Sequence, residues 1–425
     1  MINSFPSVFE HLNFAPPQHW SDSWHVSEPD YRSGNLFFLA DEFIRSACAT
    51  LKMEPALGEA FLQAAQQMRA DPALERLAWH AHVLFFTHDR EPEFQSWPML
   101  PASLGIAADM FYAIIMLSGL PHVQAIYRQR QIPESVQVDT LADLVLKMNM
   151  YRKTTGRWGL NAANWICRHF TGRLFRLGRL QYMFDSFRQD FRAFRNIRDR
   201  RVLLLAEPGI NFRTDGQFDG VNGIFDSQAF TSTLDFRVMP IRGNPVTPGG
   251  RVVRQTVHLS WAEWVQILAP GDPVLSLHIP AGGKMDYAQC GDSVRAASLF
   301  FSKHFPERPV RAWTCDSWML DPRFQDYLAP DSNMVRFQQE MYLHPIRGRN
   351  EGVVGQAFVD APLDLQKASA GTALQRAVIQ HIKNGDLWCG GGSLMFPEDL
   401  AWGKQVYRSQ VLDDIIWDCS TDKKS

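Results

Sequence analysis

Cysteine is scarce in this chain and never paired in sequence. The six residues Cys48, Cys167, Cys290, Cys315, Cys389 and Cys419 are scattered with no Cys-x-x-Cys among them. That spacing signals neither a structural zinc site nor a disulfide scaffold, so no metal is expected. Reduced thiols point to a cytoplasmic protein, and Met1–Phe14 lacks the basic start and apolar core of a signal peptide. Neither sign of charge is in excess. The net charge of −2 argues against nucleic acid or an anionic membrane as the main partner. The longest apolar run, around Met110–Leu120, is about half of what a bilayer span needs. Two phosphate motifs are missing as well. There is no Gly-x-x-x-x-Gly-Lys-Ser/Thr and no Gly-x-Gly-x-x-Gly, which excludes the common triphosphate loop and makes a dinucleotide site an unsuitable reading. Repeats and low-complexity tracts are absent too.

What remains is an ordinary globular composition, 45% hydrophobic and 21% charged. A length of 425 residues suggests two or more domains. Residues 1–35, rich in Pro, Trp, His and Ser, read as an irregular arm. From residue 36 to about 160 the apolar spacing is helical. Amphipathic stretches run over 36–51 and 55–68. Asp71–Pro72 opens a further helix with an Asp cap and Pro in the first turn. Leu104–Leu120 and Val138–Met150 continue the pattern. His80, His82 and His88 lie on the third stretch. The two-residue spacing of the first pair puts them on different faces, so surface or satisfied core histidines are the expectation rather than a shared metal. No catalytic constellation is visible in this part.

Between residues 161 and 201 arginines interleave with aromatics: Arg168, Arg173, Arg176, Arg179, Arg188, Arg192, Arg195, Arg198, Arg200 and Arg201. Three readings stand: a plain solvated face, one or two arginines reaching a phosphorylated ligand, or a single-stranded nucleic-acid surface. The near-neutral total favours the first.

From Leu177 the period shifts toward strands. Expected strands are 178–184, 202–205, 230–238 and 251–259, joined by Gly-, Asn- and Pro-rich turns. Ser260–Glu263 reads as a capping box opening a short helix. The centre of the chain is 273–305. Pro273–Pro280 is a buried strand carrying Val274, Leu275, Leu277 and Ile279, and Pro280 ends its ladder. Ala281, Gly282, Gly283 and Lys284 make a short turn. Asp286 caps a helix whose Val294, Ala297, Phe300, Phe301 and Phe305 recur at helical spacing. Further on come a strand at 310–320, a helix capped at 331–333 and running to Met341, a strand at 356–359, a helix at 372–382, and a loop at 388–393. Residues 361–425 read as a C-terminal extension.

A strand, a small-residue turn and a helix make an anion site without special side chains. The first helical turn carries unpaired N–H groups and the positive end of the dipole, and glycines allow close approach. Lys284 adds a mobile charge. The alternative is an ordinary strand–helix connection.

The segments 178–184, 271–283, 293–306, 315–322 and 330–338 resemble a bacterial two-domain family of predicted acyltransferases. In that family a helical N-acyltransferase N-terminal domain precedes a GNAT-like C-terminal domain. The resemblance covers roughly residues 35–345. It implies an α+β protein: an all-α N-terminal domain, then an acyltransferase domain over 161–360 with a mixed, mostly antiparallel twisted sheet flanked by helices. It also implies acyl-CoA, acetyl-CoA or longer, as co-substrate and a small-molecule acceptor. Under the GNAT scheme the strand through Ile279 pairs with the pantetheine arm. Ala281, Gly282, Gly283 and Lys284 hold the pyrophosphate, the next strand splays away to open a cleft, and Asn333 offers a polar contact to pantetheine. Two departures stand out. The usual phosphate motif is not intact, and Glu340 occupies the place where many GNAT enzymes carry a tyrosine acid, with Tyr342 nearest.

Acyl transfer to an amine needs a base, a polarised thioester carbonyl and a proton for the thiolate. His278 at the strand end is a candidate base, and Asp316 is either a base or a group that orients a cationic amine. Cys315 is a candidate nucleophile for an acyl-enzyme. Alternation puts Cys315 and Asp316 on opposite faces, so the two do not act together. For each, a structural role is the alternative. Two functions follow: an acyl-CoA-dependent acyltransferase, and a non-catalytic acyl-CoA or phospho-ligand binding protein on the same fold.

Overall fold

Helix and strand segregate along the chain. The computed structural model describes residues 4–16, 18–87, 98–236, 240–358, 370–408, 410 and 417–418. They form two compact units, Met1–Leu177 and Gly178–Ser425.

The first unit is helical, with Asp41–Thr50, Pro55–Ala70, Pro72–Phe86, Gly105–Ser118, Leu120–Gln129, Glu134–Thr155 and Ala163–Phe170. Asp71 caps as its chemistry predicts, accepting from the Ala73 N–H at 2.9 Å with Pro72 in the first turn. The apolar stretch Ala102–Gln129 is long and apolar enough to cross a membrane, but most of it is buried in this unit's core. The described part of the first 35 residues is not irregular throughout. Phe5–His11 and Gln18–Ser23 are short helices, and the buried Phe9, Trp20 and Trp24 rings pack on one another. The aromatics that made this segment look unpatterned are what order it. His80 and His82 are both buried and bonded, His80 to Ser27 Oγ at 2.9 Å and His82 to Ser118 Oγ at 2.8 Å. His88 lies outside the described residues.

In the second unit the strands β1 (Leu180–Ser186), β2 (Pro273–His278), β3 (Ala312–Ser317), β4 (Tyr342–His344) and β5 (Gly391–Met395) run in the order β1-β2-β3-β5-β4. Among these five described strands β2 and β3 pair in parallel and the other neighbours pair antiparallel. The helix Tyr287–His304 covers one face. Its Phe301 ring meets Tyr182 at 6.3 Å and Phe184 at 5.1 Å, and Tyr182 in turn meets Trp313 at 5.7 Å. Each buried phenylalanine on that helix contributes on the order of 1.5–3 kcal/mol. A second sheet joins Phe191–Asn196, Val202–Ala206, Pro245–Val246 and Trp264–Leu268. Phe194, Leu203, Leu205, Ile241, Val257, Leu259 and Trp264 form a core cluster behind it.

Several expected elements differ. Ser260–Glu263 opens no helix. Ser260 Oγ accepts from Ala262 N in a turn, and the alternating Trp-Val-Gln-Ile-Leu that follows forms the strand Trp264–Leu268. Asn350–Ala357 is a helix where a strand was expected from Gln356, and Val359 lies outside the described residues. The stretch 230–238 breaks into the short strands Phe230–Thr231 and Leu234–Asp235, with 237–239 outside the described residues. Trp388–Ser393 is not a loop throughout, because β5 begins at Gly391 and sits inside the main sheet.

Candidate functional site

The turn after β2 is held from beneath. Asp286 accepts from the Gln289 N–H at 2.8 Å, so its carboxylate faces into the helix cap. Gly282 has φ +86°, a conformation that only glycine adopts without strain. Arg179, nearly buried, donates from Nη1 to Pro280 O at 3.0 Å, from Nη2 to Gly283 O at 2.9 Å and from Nε to Lys284 O at 2.9 Å. The backbone N–H groups of residues 281–285 bond to no acceptor among the described residues. Ala281, Gly282, Gly283 and Lys284 are all exposed. Unpaired, exposed backbone donors in such a turn are chemically suited to an anion.

Next to it the main sheet opens. The β2–β3 ladder runs from Val274↔Ala312 to Ser276↔Thr314 and ends. Beyond that point β2 continues its pairing with β1 as far as His278↔Gln181, while β3 continues with β5 as far as Ser317↔Gly391. The two central strands therefore part towards the turn, leaving a wedge between Leu277–Ile279 and Cys315–Ser317.

Register fixes which side chains face the cleft. Ser276 pairs with Thr314, so Asp316, two residues on, shares that face of β3. Asp316 lies opposite Gly392, which lies opposite His344. The three form one row across β3, β5 and β4, with a glycine in the middle. A Cβ on Gly392 would lie 2.6 Å from His344 Nε2 and 2.7 Å from Nδ1, so the imidazole rests on the bare glycine backbone.

His344 is wholly buried, flanked by the Phe191 and Phe187 rings at 5.1 Å and 6.5 Å. Its Nδ1 is 3.1 Å from Pro345 O. A carbonyl can only accept, so Nδ1 carries the proton and Nε2 holds a lone pair. That Nε2 has no partner among the described residues. Burial pushes the His344 pKa down, while the Asp316 charge pulls it back up. Asp316 reaches solvent, and its Oδ2 accepts from Gln189 Nε2 at 2.6 Å. Desolvation by the cleft walls raises its pKa, His344 and Gln189 oppose the shift, and Asp185 adds to it. The result is a reachable carboxylate made more basic than usual.

The other sequence candidates have different fates. His278 is half-buried at the end of β2 with Nε2 3.2 Å from Ser276 Oγ. Cys315 points to the opposite face. It is buried, and desolvation pushes its thiol pKa far up, which makes a thiolate nucleophile unfavourable there. Asn333 is exposed in the first turn of Asn333–Gln339. Glu340 accepts from the Tyr287 hydroxyl and from Gly403 N, so it braces the fold. Tyr342 is buried and donates to Val246 O, which leaves no proton facing the cleft. Most of the arginine run is tied down in ion pairs: Arg192 to Glu207, Arg198 to Glu263, Arg201 to Asp199. Arg195 departs from the expected solvated face, being buried in a fork with Asp399 at 3.0 Å and 2.7 Å. His344, Gly392, Gln189 and the clamping role of Arg179 were not singled out from sequence. Among the described residues no group of His, Cys, Asp or Glu is placed to hold a metal.

A helix-flanked mixed sheet whose parallel central pair parts beside a donor-rich turn defines the GNAT class of acyltransferase fold. Residues 174–395 match the GNAT-like C-terminal domain family, and residues 42–172 match the N-acyltransferase N-terminal domain family. The chain belongs to the GNAT-like C-terminal domain family. No curated protein matches it. Among solved structures, it is similar to an acyltransferase mutant in complex with octanoyl-CoA, at 22% identity and TM-score 0.65 over 93% of this chain and 99% of that one. An acyltransferase in complex with decanoyl-CoA and teicoplanin gives 22% identity and TM-score 0.65, over 92% and 98%. An acyltransferase in complex with CoA and 10C-teicoplanin gives 23% identity and the same TM-score of 0.65, over 92% and 98%.

Proposed function

We propose that this protein is an acyl-CoA-dependent acyltransferase that moves an acyl group to an amine or similar nucleophile of a small molecule, acting in the cytoplasm. The observation that carries this reading is the wedge between β2 and β3 leading into the Arg179-held turn. A linear amide-bearing arm pairs with the open backbone of β2, and its pyrophosphate meets the N–H groups of Ala281, Gly282, Gly283 and Lys284, with Lys284 adding charge. The structural neighbours crystallised with octanoyl-CoA and decanoyl-CoA support the same choice of donor.

Asp316 is the base in this reading. The acceptor nitrogen attacks the thioester carbonyl carbon, a C–N bond forms and the C–S bond breaks. Asp316 takes the proton that the nitrogen loses, and the CoA thiolate regains a proton through solvent. His344, neutral on the far side of Gly392, keeps that corner of the cleft dry and uncharged. His278 lines the cleft nearer the phosphates.

A second reading, a non-catalytic acyl-CoA binder, is favoured by one observation: Glu340 and Tyr342 are both engaged in the fold, so no acid stands ready for the thiolate. Calorimetric titration with CoA and acetyl-CoA, with Gly283→Asp as control, is the first test. Binding that is lost in the variant is the expected result, followed by thiol release when amine acceptors are supplied. Folded protein that binds neither ligand refutes both readings. Binding without turnover on any acceptor leaves the second.

A further inference from the structure

Arg179, from the arginine-rich stretch, lies against the turn that follows β2. Its guanidinium donates to the carbonyl oxygens of Pro280, Gly283 and Lys284. In a trans peptide the C=O and the following N–H point in opposite directions. Drawing those three carbonyls down onto the guanidinium therefore turns the N–H groups of Ala281, Lys284 and Met285 away from it. None of the three has an acceptor among the described residues. A planar fork with donors in fixed directions suits three carbonyls at once, and an ammonium does not match it.

We infer that Arg179 is a positioning residue for the pyrophosphate of the donor: it shapes the turn from behind and never touches the ligand. The inference rests on the acyl-CoA reading above. Without the fork the Pro280 and Gly283 carbonyls lose their donor and rotate toward the cleft, where their negative ends oppose a phosphate, while Lys284 O keeps the Asp286 N–H at 3.0 Å. The guanidinium also places a fixed positive charge beneath the cradle.

The role is specific to the phosphate-bearing part of the donor, which gives the test its readout. Titrations of CoA and of S-acetylpantetheine, which lacks the pyrophosphate and nucleotide, are compared for wild type, Arg179→Lys and Gly282→Ala. Gly282→Ala leaves Arg179 in place but strains the turn at φ +86°. Both variants are expected to weaken CoA by about tenfold or more while S-acetylpantetheine changes less than about twofold; tenfold is about 1.4 kcal/mol. Circular dichroism checks that each variant is folded. If Arg179→Lys binds CoA as wild type does, or if both ligands weaken in parallel, the inference fails while the acyl-CoA reading stands. If wild type binds no CoA, both fall together.

Discussion

Placing one methyl group on Gly392 tests the floor of the cleft. In Gly392→Ala the new Cβ would lie 2.6 Å from His344 Nε2 and 2.7 Å from Nδ1. Such contacts cannot be kept, so the ring or the strand has to move. The ring has little freedom: it is wholly buried, packed against Phe191 at 5.1 Å and tied by Nδ1 to Pro345 O at 3.1 Å. Overpacking a tight core costs about 1–3 kcal/mol. Pulling Nδ1 away from its carbonyl adds about 1–3 kcal/mol for a buried donor left unsatisfied. A loss near 3 kcal/mol is about 6–12 °C in melting temperature for a unit of this size. The assay is a thermal melt followed by circular dichroism, run on Gly392→Ala, His344→Ala and the double variant. His344→Ala alone opens a cavity that the methyl added at position 392 partly fills, so the double variant should be at least as stable as His344→Ala alone. That coupling has the opposite sign to simple addition. A Gly392→Ala melt within about 2 °C of wild type, or strictly additive losses, would refute the placement of His344 over the glycine.

Other perturbations have defined outcomes. Asp316→Asn should lower turnover by about 10²–10⁴-fold and leave CoA affinity within a factor of about two, because it removes a proton acceptor but not a donor contact; equal losses in both would assign Asp316 to binding. Since desolvation raises the Asp316 pKa and only the carboxylate form accepts a proton, kcat/KM should climb with pH through a limb above the ordinary carboxylate range, and Asp316→Asn should abolish that limb. Cys315→Ala should retain activity and show no change in pre-steady-state burst, because the thiol is buried on the helix side of β3. In the helical unit, burial lowers the His82 pKa to about 4 from 6.5. The folded form resists the proton that the unfolded chain takes up, so stability is full above pH 6.5 and falls as pH drops toward 4, by about 3 kcal/mol for this residue. Urea titrations at about pH 7.5 and about pH 4.5, on either side of that window, should show His82→Asn losing less on acidification than wild type, and equal losses would exclude His82 as a source of acid sensitivity.

The parts of this architecture legible in sequence are those written locally. Pro273–His278, the turn and the Tyr287–His304 helix follow from a β-rich run, a proline stop, an Asp cap and a phenylalanine stripe, each close in sequence to the feature it sets. Asp316 was reachable for the same reason, since alternation along β3 assigns its face. The rest is tertiary. Gly391–Met395 has two glycines where strands prefer branched residues. It is a strand because β3 and β4 pair with it on both sides, and it carries glycines because His344 and the Leu320 carbonyl come too close for any side chain at 392 and 391. His344 takes its meaning from Gly392, far ahead of it in the chain, and from Phe191, farther still behind it. Arg179 sits about 100 residues before the carbonyls it holds. In the sequence it is one of ten arginines in its stretch, and nothing local separates it from the others. The Ser260 capping box shows the converse, a correct local motif overruled by the strand-forming residues that follow it.

The parting of β2 and β3 has a consequence for the ladder itself. An ordinary sheet exposes its unpaired backbone at the rim, where any strand can dock. Here the stretch Leu277–Ile279 that β3 leaves behind lies in the interior, walled by β1 on one side and by β3 with β5 on the other. The wedge narrows to a bonded pair at Ser276 and Thr314. In the acyl-CoA reading proposed above, its guest is the amide-bearing arm of the donor, entering from the wide end by the turn. On that reading the inner edge of the sheet, and not its rim, is the part that pairs with a guest.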